Sequence, residues 1–369
     1  MIEPKSVLAA VDEAMAVGLD VMRFVHDHPE LAHEEHRCSA YVAGALARAG
    51  FDVTQPAGGM ETAFVATLDG SKPGRTVGLT CLYDAVAAVR PDGSVEALHS
   101  CGHGPIAGGV TAAAVALAAL RDDLAGRVRV IGCPADEIHA PGTIRHGGGK
   151  ARTAEAGLWD DVDAALYAHP EFIDTVSVES RWMRRERAQS AGTRSMSGTP
   201  EEPLRAAAAI LAVNALDVMV ERLELDGDVE EGTGLVCSAS VLVFADSAEE
   251  LEERCAALRA AVPGVTWESG RTYEGVRPDP AVREAVAAAM ADAGLAFVAD
   301  PPRLPFATDF GNISRRAPAA LIGIGRPGGW AFHSDEGAEQ FASADGEAAA
   351  LALARVLALS AARLVDRPG

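Results

Sequence analysis

The sequence predicts an α/β fold: a main domain with helices on both faces of a mixed sheet, interrupted by a small inserted α+β lid. Helical spacing alternates with short, nearly continuous apolar strands, which are typical of sheets covered on both faces. Near residue 180 the chain turns polar, and the alternation returns after about residue 277. The predicted domains are therefore 1–183, 184–277 for the lid, and 278–369.

The elements of the main domain follow from apolar periodicity. Strand patterns are short and rich in Val, Leu and Ala, and helical patterns repeat every three to four residues. Helices are predicted over residues 7–25, 39–49, 106–120, 281–293 and 346–364, and strands over 63–68, 76–82, 128–133, 164–169 and 319–324.

The predicted lid begins with a polar stretch that holds five arginines between Arg181 and Arg194. We interpret Arg181, Arg184, Arg185 and Arg187 as a solvated hinge, with attraction of an anionic substrate as the alternative. A helix over 203–220, a strand over 235–244 and a helix over 247–261 follow, which makes a small α+β unit.

Composition bounds the class of protein. The 369 residues are 49% apolar and 23% charged, which is enough for packed cores, and the length fits two domains of roughly 150 residues or more each. The net charge of −21 argues against binding nucleic acid or an anionic membrane surface, since both select basic patches.

The location expected from the sequence is the cytoplasm. The first 20 residues carry Glu3, Asp12 and Glu13 and lack a signal-peptide pattern, and the most apolar stretch, 110–120, is too short to span a bilayer. Six scattered cysteines fit reduced thiols better than a disulfide framework.

Metal-ligand residue types stand at the ends of predicted strands, where α/β sites form. Cys101 and His103 are separated by one glycine, so one turn can direct a thiolate and an imidazole to the same point, a pair that suits Zn²⁺ and neighbouring metals. The others are the adjacent acids Asp136 and Glu137 after strand 128–133, His169 at the end of strand 164–169, His333 in AFHSDE, and Asp84 after strand 76–82.

Each of these signals alone has an ordinary explanation. A Cys-x-His pair is often a buried cysteine beside an incidental histidine, paired acids are usually a solvated surface, and a lone histidine is usually structural. Their joint occurrence in this order on an α/β chain indicates a metal site.

The motifs that carry these residues resemble a known family. HDHPELAHEE, YDAV, HSCGHG, GCPADE, GGGKARTAEAGLWDDVDAALYAHP, ATDFGNIS and FHS run in register along nearly the whole chain. They are similar to motifs of the amidohydrolase branch of the co-catalytic metallopeptidases, which contains aminoacylases, aminobenzoyl-glutamate hydrolases and indole-acetyl-amino-acid hydrolases. GGGK and DVDAALYAHP look most similar to the aminobenzoyl-glutamate hydrolases.

The resemblance implies a phosphorylase/hydrolase-like catalytic domain and a set of site residues. It places two divalent cations, Zn²⁺ or Mn²⁺ with Co²⁺ or Ni²⁺ as alternatives, on Cys101, His103, Glu137, His169 and His333. It places the general base at Asp136. It makes Asp84 a carboxylate that holds a ligand histidine in place without binding the cations itself. The implied reaction is hydrolysis of the amide bond of a small N-acyl amino acid or related conjugate by a hydroxide that bridges the cations. A homodimer is also implied, and strand 235–244 of the lid is the expected pairing edge.

Two departures affect the implied chemistry. Asp136 stands where the family keeps glutamate. Aspartate is one methylene shorter, so its carboxylate lies about 1 Å further from the reacting atoms, and a displacement of that size can cost on the order of 10²-fold in rate. Met196, in GTRSMSGTP, stands where the family's lid carries an oxyanion-stabilising histidine, and a thioether donates no hydrogen bond. Arg194 or Ser195 is a candidate substitute. Trp330 is either a contact for an aromatic or acyl group or a packing residue.

The departures leave alternatives open: a specialised relative that acts on a non-peptidic C–N bond, and a catalytically silent metal-binding relative. A nucleotide site at GGGK is rejected, because Ile144 stands where a phosphate loop needs glycine and Ala151 replaces Ser or Thr. His139 and His146 are interpreted as loop residues rather than ligands.

Overall fold

A computed structural model describes residues 2–192, 201–213, 217–227 and 235–366. The chain forms two compact units. The main unit comprises Met1–Glu179, Val276–Arg303 and Asp309–Gly369, and the inserted unit comprises Ser180–Gly275 and Leu304–Thr308. The grouping of Leu304–Thr308 with the inserted unit has no counterpart in the predicted boundaries, since chain order alone does not reveal it.

The first part of the main unit alternates helices and strands. In chain order these are α1 (Pro4–Asp27), α2 (His36–Arg48), β1 (Asp52–Thr54), β2 (Phe64–Asp69), β3 (Lys72–Cys81), β4 (Val86–Val89), β5 (Val95–Leu98), α3 (His103–Ala119), β6 (Ala125–Gly132), α4 (Pro141–His146), α5 (Gly149–Glu155) and β7 (Ala164–Glu171).

The inserted unit contributes β8 (Trp182–Gly192), α6 (Glu201–Ala212), β9 (Val218–Asp226), β10 (Leu235–Ala245), α7 (Ala248–Ala261) and β11 (Thr266–Tyr273). The main unit resumes with α8 (Pro280–Asp292), α9 (Phe310–Ser314), β12 (Ala319–Gly325), α10 (Asp335–Ala342) and α11 (Ala344–Val365).

The sheet of the main unit has six strands in the order β1-β2-β6-β3-β7-β12. Strands β6, β3, β7 and β12 run parallel, and β2 pairs antiparallel with both β6 and β1. The predicted α/β class with a mixed sheet is confirmed. Because β6, β3, β7 and β12 are parallel, their carboxyl ends meet at one edge, and the loops after β3, β6 and β7 lie there.

Helices α1, α3 and α11 pack closely in the core of the main unit. A Cβ at Gly18 would lie 2.6 Å from the carbonyl oxygen of Gly108, so glycine permits α1 and α3 to approach each other. Among the described residues, Ala344–Val365 is the one helix long and apolar enough to cross a membrane, and 72% of its most apolar window is buried inside the protein.

The inserted unit is a four-stranded antiparallel sheet in the order β11-β8-β10-β9, with α6 and α7. Its apolar core combines Ile210 of α6 and Leu258 of α7 with Val241 and Val243 of β10. The sequence predicts only one strand here, so three strands are missed. The predicted helix 203–220 is also too long, because β-branched Val218 and Val220 belong to β9.

Two further expectations for this unit are wrong. Arg184, Arg185 and Arg187 lie in strand β8 rather than in a solvated hinge. Their partners are carboxylates on neighbouring elements: Arg184 pairs with Glu252, and Arg185 lies 2.7 Å from Glu221. Residues 235–244 are not an edge, because β10 pairs with β8 on one side and β9 on the other.

Candidate metal centre

The loops at the carboxyl edge of the main sheet supply the site. Asp84 follows β3, Asp136 and Glu137 follow β6, and His169 lies near the end of β7. Cys101 and His103 flank Gly102, whose φ is 94° and where a Cβ would lie 2.8 Å from Cγ of Pro170. Glycine is therefore required in the turn that brings this cysteine and histidine together.

Cys101 lies at the centre of the cluster. Its Sγ is 3.3 Å from Nε2 of His333 and 3.8 Å from Nε2 of His169. Glu137 closes the group, with its carboxylate oxygens 3.8 Å from Nε2 of His103 and 3.7 Å from Nε2 of His333. The ligand atoms of Cys101, His103 and His169 lie within 4.8 Å of one another, as do those of Cys101, Glu137 and His333. All five predicted ligands thus converge on two overlapping groups that share Cys101.

Hydrogen bonds orient two of the imidazoles toward the cluster. His103 Nδ1 lies 2.7 Å from the carbonyl oxygen of Asp84 and 3.0 Å from its Oδ1, and His169 Nδ1 lies 2.6 Å from the carbonyl oxygen of Pro170. A carbonyl oxygen only accepts, so each Nδ1 carries a hydrogen and Nε2 is the ring nitrogen left to bind a cation. This is the arrangement in which metal-binding histidines are held.

The donor set fits divalent cations. Nε2 of His103 and Oε1 of Glu137 are buried and have no hydrogen-bond partner among the described residues. Buried polar atoms are normally paired, so these two atoms fit a site that binds a cation. A thiol, three imidazoles and a carboxylate suit Zn²⁺ and neighbouring transition metals.

Burial also sets the protonation of the cluster. It raises the pKa of the Cys101 thiol to about 12 and that of the Glu137 carboxyl to about 7, and it lowers the pKa of His169 to about 3. Burial would lower the pKa of His103 as well, but the Asp84 carboxylate outweighs it and holds that pKa well above its usual range. Because a ligand must be deprotonated, cation binding at this site has to release protons.

Asp136 lies between the cluster and a buried lysine. Its Oδ2 is 3.3 Å from Nε2 of His103, and its Oδ1 bonds the ammonium group of Lys150. Lys150 also lies 2.9 Å from Oδ1 of Asp309, and its Nζ stands 5.0 Å from the centre of the Tyr167 ring. The lysine of GGGK therefore contacts the candidate base, a role that the sequence analysis missed.

The backbone at His333 is constrained. Its φ is 59°, and its N–H donates to the carbonyl oxygen of Ser100 at 2.9 Å. A left-handed conformation is uncommon for residues other than glycine and is concentrated at functional sites. The constraint holds His333 beside Cys101.

An aromatic surface adjoins two of the ligands. The ring centre of Phe332 lies 6.0 Å from that of His169 and 5.5 Å from that of Phe172, which is 60% exposed. Trp330 does not belong to this surface: it is 5% exposed and stacks on Phe341 at 4.3 Å. Packing thus buries the Trp330 ring, in line with the second of the two interpretations, and a contact with substrate stays a prediction.

The remaining predicted residues fall into two groups. Arg194, Ser195 and Met196 lie outside the described residues. His139 and His146 belong to neither ligand group in the described part of the chain.

Comparison with known proteins places the chain beside metallopeptidases. The family model of peptidase family M20/M25/M40 matches residues 78–359. The chain is 34% identical over 163 residues to a p-aminobenzoyl-glutamate hydrolase chain of Escherichia coli, a match that covers 41% of this chain and 32% of that protein. It is 26% identical over 398 residues to human Xaa-Arg dipeptidase, covering 97% of this chain and 88% of that protein.

Solved structures share the fold. An aminobenzoyl-glutamate utilization protein from Klebsiella pneumoniae superposes with a TM-score of 0.71 at 17% identity, over 98% of this chain and 100% of that one. A dinuclear metal-binding peptidase of family M20 from Bacillus subtilis superposes with a TM-score of 0.64 at 20% identity, over 93% and 98% of the two chains.

Proposed function

Because the chain belongs to peptidase family M20/M25/M40, we propose that it is a metal-dependent hydrolase that cleaves the C–N amide bond of a small N-acyl amino acid or related conjugate. The observation that carries the proposal is the convergence of four ligand side chains on a fifth, Cys101, with Asp136 beside them. The relatives support the substrate class: one of them is an N-acyl-L-amino acid amidohydrolase of Geobacillus stearothermophilus, 28% identical over 43% of this chain and 42% of that protein.

The proposed cofactor is a pair of divalent cations, Zn²⁺ or Mn²⁺, held by the two ligand groups that share Cys101. When bound, the cations lower the pKa of water and polarise the scissile carbonyl. His103 and His169 would bind through Nε2, since their Nδ1 atoms are engaged by Asp84 and Pro170. Asp84 would therefore not bind a cation itself but would orient the ligand His103.

Asp136 is the proposed general base. Its Oδ2 faces the ligand cluster at 3.3 Å from His103, so the shorter side chain still reaches the site. In the proposed reaction this oxygen takes a proton from the attacking water and delivers it to the nitrogen of the leaving amine. Lys150 holds the other oxygen, so the carboxylate keeps one orientation throughout.

The proposed substrate carries an apolar group. Phe332 and Phe172 lie next to His169, and Phe172 exposes most of its ring. An aryl or alkyl group of the substrate that packs on these rings would leave its amide near the ligands. Roles for Arg194, Ser195 and Met196 in substrate binding stay predictions.

We also propose a homodimer that forms through the inserted unit, with β9 as the pairing edge in place of β10. Among the described strands of this unit, β9 and β11 lie at the two edges of the sheet, and of these two β9 is the one with exposed large apolar side chains. Apolar side chains are exposed on this strand and on α6: Leu225 at 47% and Leu211 at 57%. Exposed apolar residues beside a free strand edge are typical of an interface between protein chains. A cytoplasmic location also stays a proposal, supported by six free cysteines.

A substrate panel tests the proposed function. The protein is reconstituted with Mn²⁺, Zn²⁺ or Co²⁺ and assayed on N-acyl amino acids and aryl amides. We expect cation-dependent hydrolysis, and we expect Asp136→Asn to lower kcat by roughly 10²–10⁴-fold while the bound cations remain. Asp122→Asn, a change at an exposed acid, is the matched control.

Two outcomes would contradict the proposal. The first is a protein that binds both cations and hydrolyses no amide of the panel, which would favour a silent relative or a non-peptidic C–N bond. The second is an Asp136→Asn variant with unchanged kcat, which would remove Asp136 from the mechanism.

A further inference from the structure

We propose that Glu35 is a positioning residue that fixes the loop carrying Asp136 and Glu137. The proposal rests on the metal centre of the proposed function. Glu35 comes from the HDHPELAHEE segment, to which the mechanism above gives no role.

Glu35 is fully buried, and its carboxyl group meets three donors. The backbone N–H of Ala135 donates to Oε1 at 2.8 Å, and the N–H of His33 donates to the same oxygen at 2.9 Å. The hydroxyl of Thr62 donates to Oε2 at 2.8 Å. Thr62 is itself held, because the Tyr83 hydroxyl donates to its carbonyl oxygen at 2.5 Å. Glu35 thus connects its own segment and the segment of Thr62 to the loop after β6.

The loop needs such an anchor because of its backbone. Ala135 has a φ of 58°, a left-handed conformation that alanine disfavours. The next two residues are the candidate base and a candidate ligand, so relaxation of Ala135 would move both side chains. A conformation of this kind persists only where surrounding contacts enforce it.

Further contacts continue the restraint around Asp136. Oδ2 of Asp84 accepts the N–H of Glu137 at 2.9 Å, and the carbonyl oxygen of Ala135 accepts the N–H of Gly149 at 3.4 Å. The backbone is therefore held by one buried carboxyl group on each side of Asp136. Glu35 holds the position before the base, and Asp84 holds the position after it.

A purely structural role explains this residue less well. A buried carboxyl group is costly, and an apolar side chain of similar volume would fill the same space. What an apolar side chain lacks is an oxygen that accepts two backbone N–H groups at once. The expected function of Glu35 is this acceptor, so glutamine should replace it and methionine should not.

The test compares Glu35→Met with Glu35→Gln, because the two new side chains have similar volume and only glutamine keeps an acceptor. The matched control is Glu34→Met at the exposed neighbouring residue. Co²⁺ binding is followed by its visible absorption, and kcat is measured on the best substrate. We expect Glu35→Met to weaken Co²⁺ binding about 10-fold and to lower kcat about 10- to 100-fold. Glu35→Gln and Glu34→Met should stay within about threefold of the parent in both measurements.

A second variant tests whether Glu35 acts through the backbone of Ala135, and it replaces Glu35→Met in the test if that variant does not fold alone. Glycine adopts a positive φ without strain, so Ala135→Gly in the Glu35→Met background should restore part of the Co²⁺ affinity. The proposal is overturned if Glu35→Met binds Co²⁺ as the parent does, if Glu35→Gln loses as much as Glu35→Met, or if the double variant gains nothing. Co²⁺ titration needs no substrate, so failure of the proposed hydrolysis would not be mistaken for failure of this proposal.

Discussion

Lys150 and Asp136 form an ion pair at the edge of the ligand cluster. Lys150 is 1% exposed and lies 2.9 Å from a second buried carboxylate, that of Asp309. One ammonium group thus faces two carboxylates away from water. Oδ2 of Asp309 also accepts the N–H of Ala151 at 3.0 Å, which ties the pair to the start of α5.

Removal of the lysine charge should destabilise the main unit. Lys150→Met leaves the buried carboxylate of Asp309 and the half-buried carboxylate of Asp136 without their cation. We expect the free energy of unfolding to fall by about 3–5 kcal/mol. Urea denaturation measures the change. The double variant Lys150→Met/Asp309→Asn should lose less of its unfolding free energy than Lys150→Met, because one of the two carboxylates is gone.

Lys72→Met provides the matched control, since Lys72 is exposed and should tolerate the change within about 0.5 kcal/mol. A Lys150→Met variant as stable as this control would show that the buried ion pair contributes nothing to folding.

Asp136→Glu, which introduces the residue that the family carries at this position, should lower kcat rather than raise it. The longer side chain displaces the carboxylate by about 1 Å from a position that the Lys150 contact and the left-handed Ala135 already define, and a shift of that size costs up to about 10²-fold. Steady-state kinetics on the best substrate check this. A steep rise in kcat would instead mean that the short side chain limits the rate.

Glu35 should make stability depend on pH. Burial, followed by the nearby Asp84 charge, raises the pKa of the Glu35 carboxyl from 4.5 to about 8. Between these values the folded protein keeps a proton that the unfolded chain has released, so the contribution of Glu35 is complete below pH 4.5 and is lost as pH rises through about 8.

Urea denaturation at pH 5 and pH 8 measures this dependence. The loss of stability between the two pH values should be smaller for Glu35→Gln than for the parent, and Glu34→Gln should match the parent. Equal losses in all three proteins would contradict the raised pKa.

The proposed dimer should dissociate when its apolar residues become charged. Leu211→Glu combined with Leu225→Glu places two carboxylates on the surface of α6 and β9, and we expect the mass in solution to halve. Light scattering after size-exclusion chromatography measures the mass. Val17→Glu, on the exposed face of α1 in the main unit, is the control and should leave the mass unchanged. A mass unaffected by the Leu211 and Leu225 changes would place the interface elsewhere.

The ligands could be predicted from the sequence, whereas the residues that hold them and the candidate base in place could not. Glu137 follows β6 and His169 lies near the end of β7, and parallel strands bring their carboxyl ends to one edge, so the convergence of these two ligands could be expected. Glu35 and Lys150 could not be recognised in the same way. Glu35 bonds a residue 100 positions away, and Lys150 stands in a glycine-rich segment whose more familiar interpretation is a phosphate loop.

The errors in the inserted unit have a similar origin. Whether a strand lies at an edge depends on the order in which strands pair, and periodicity within residues 235–244 carries no information on that order. The arginines of β8 look like solvated residues in the sequence because their carboxylate partners lie on other elements.

In the main unit, Trp330 stands beside a glycine-rich loop and near His333, but tertiary packing on Phe341 buries it.

Anomalous diffraction from Zn²⁺-loaded crystals tests the central claim most directly. The account predicts two peaks about 3.5–4 Å apart, contacted by the five clustered side chains, with Cys101 next to both. A single peak, or peaks bound by other residues, would contradict the two-cation centre from which the proposed hydrolysis is derived.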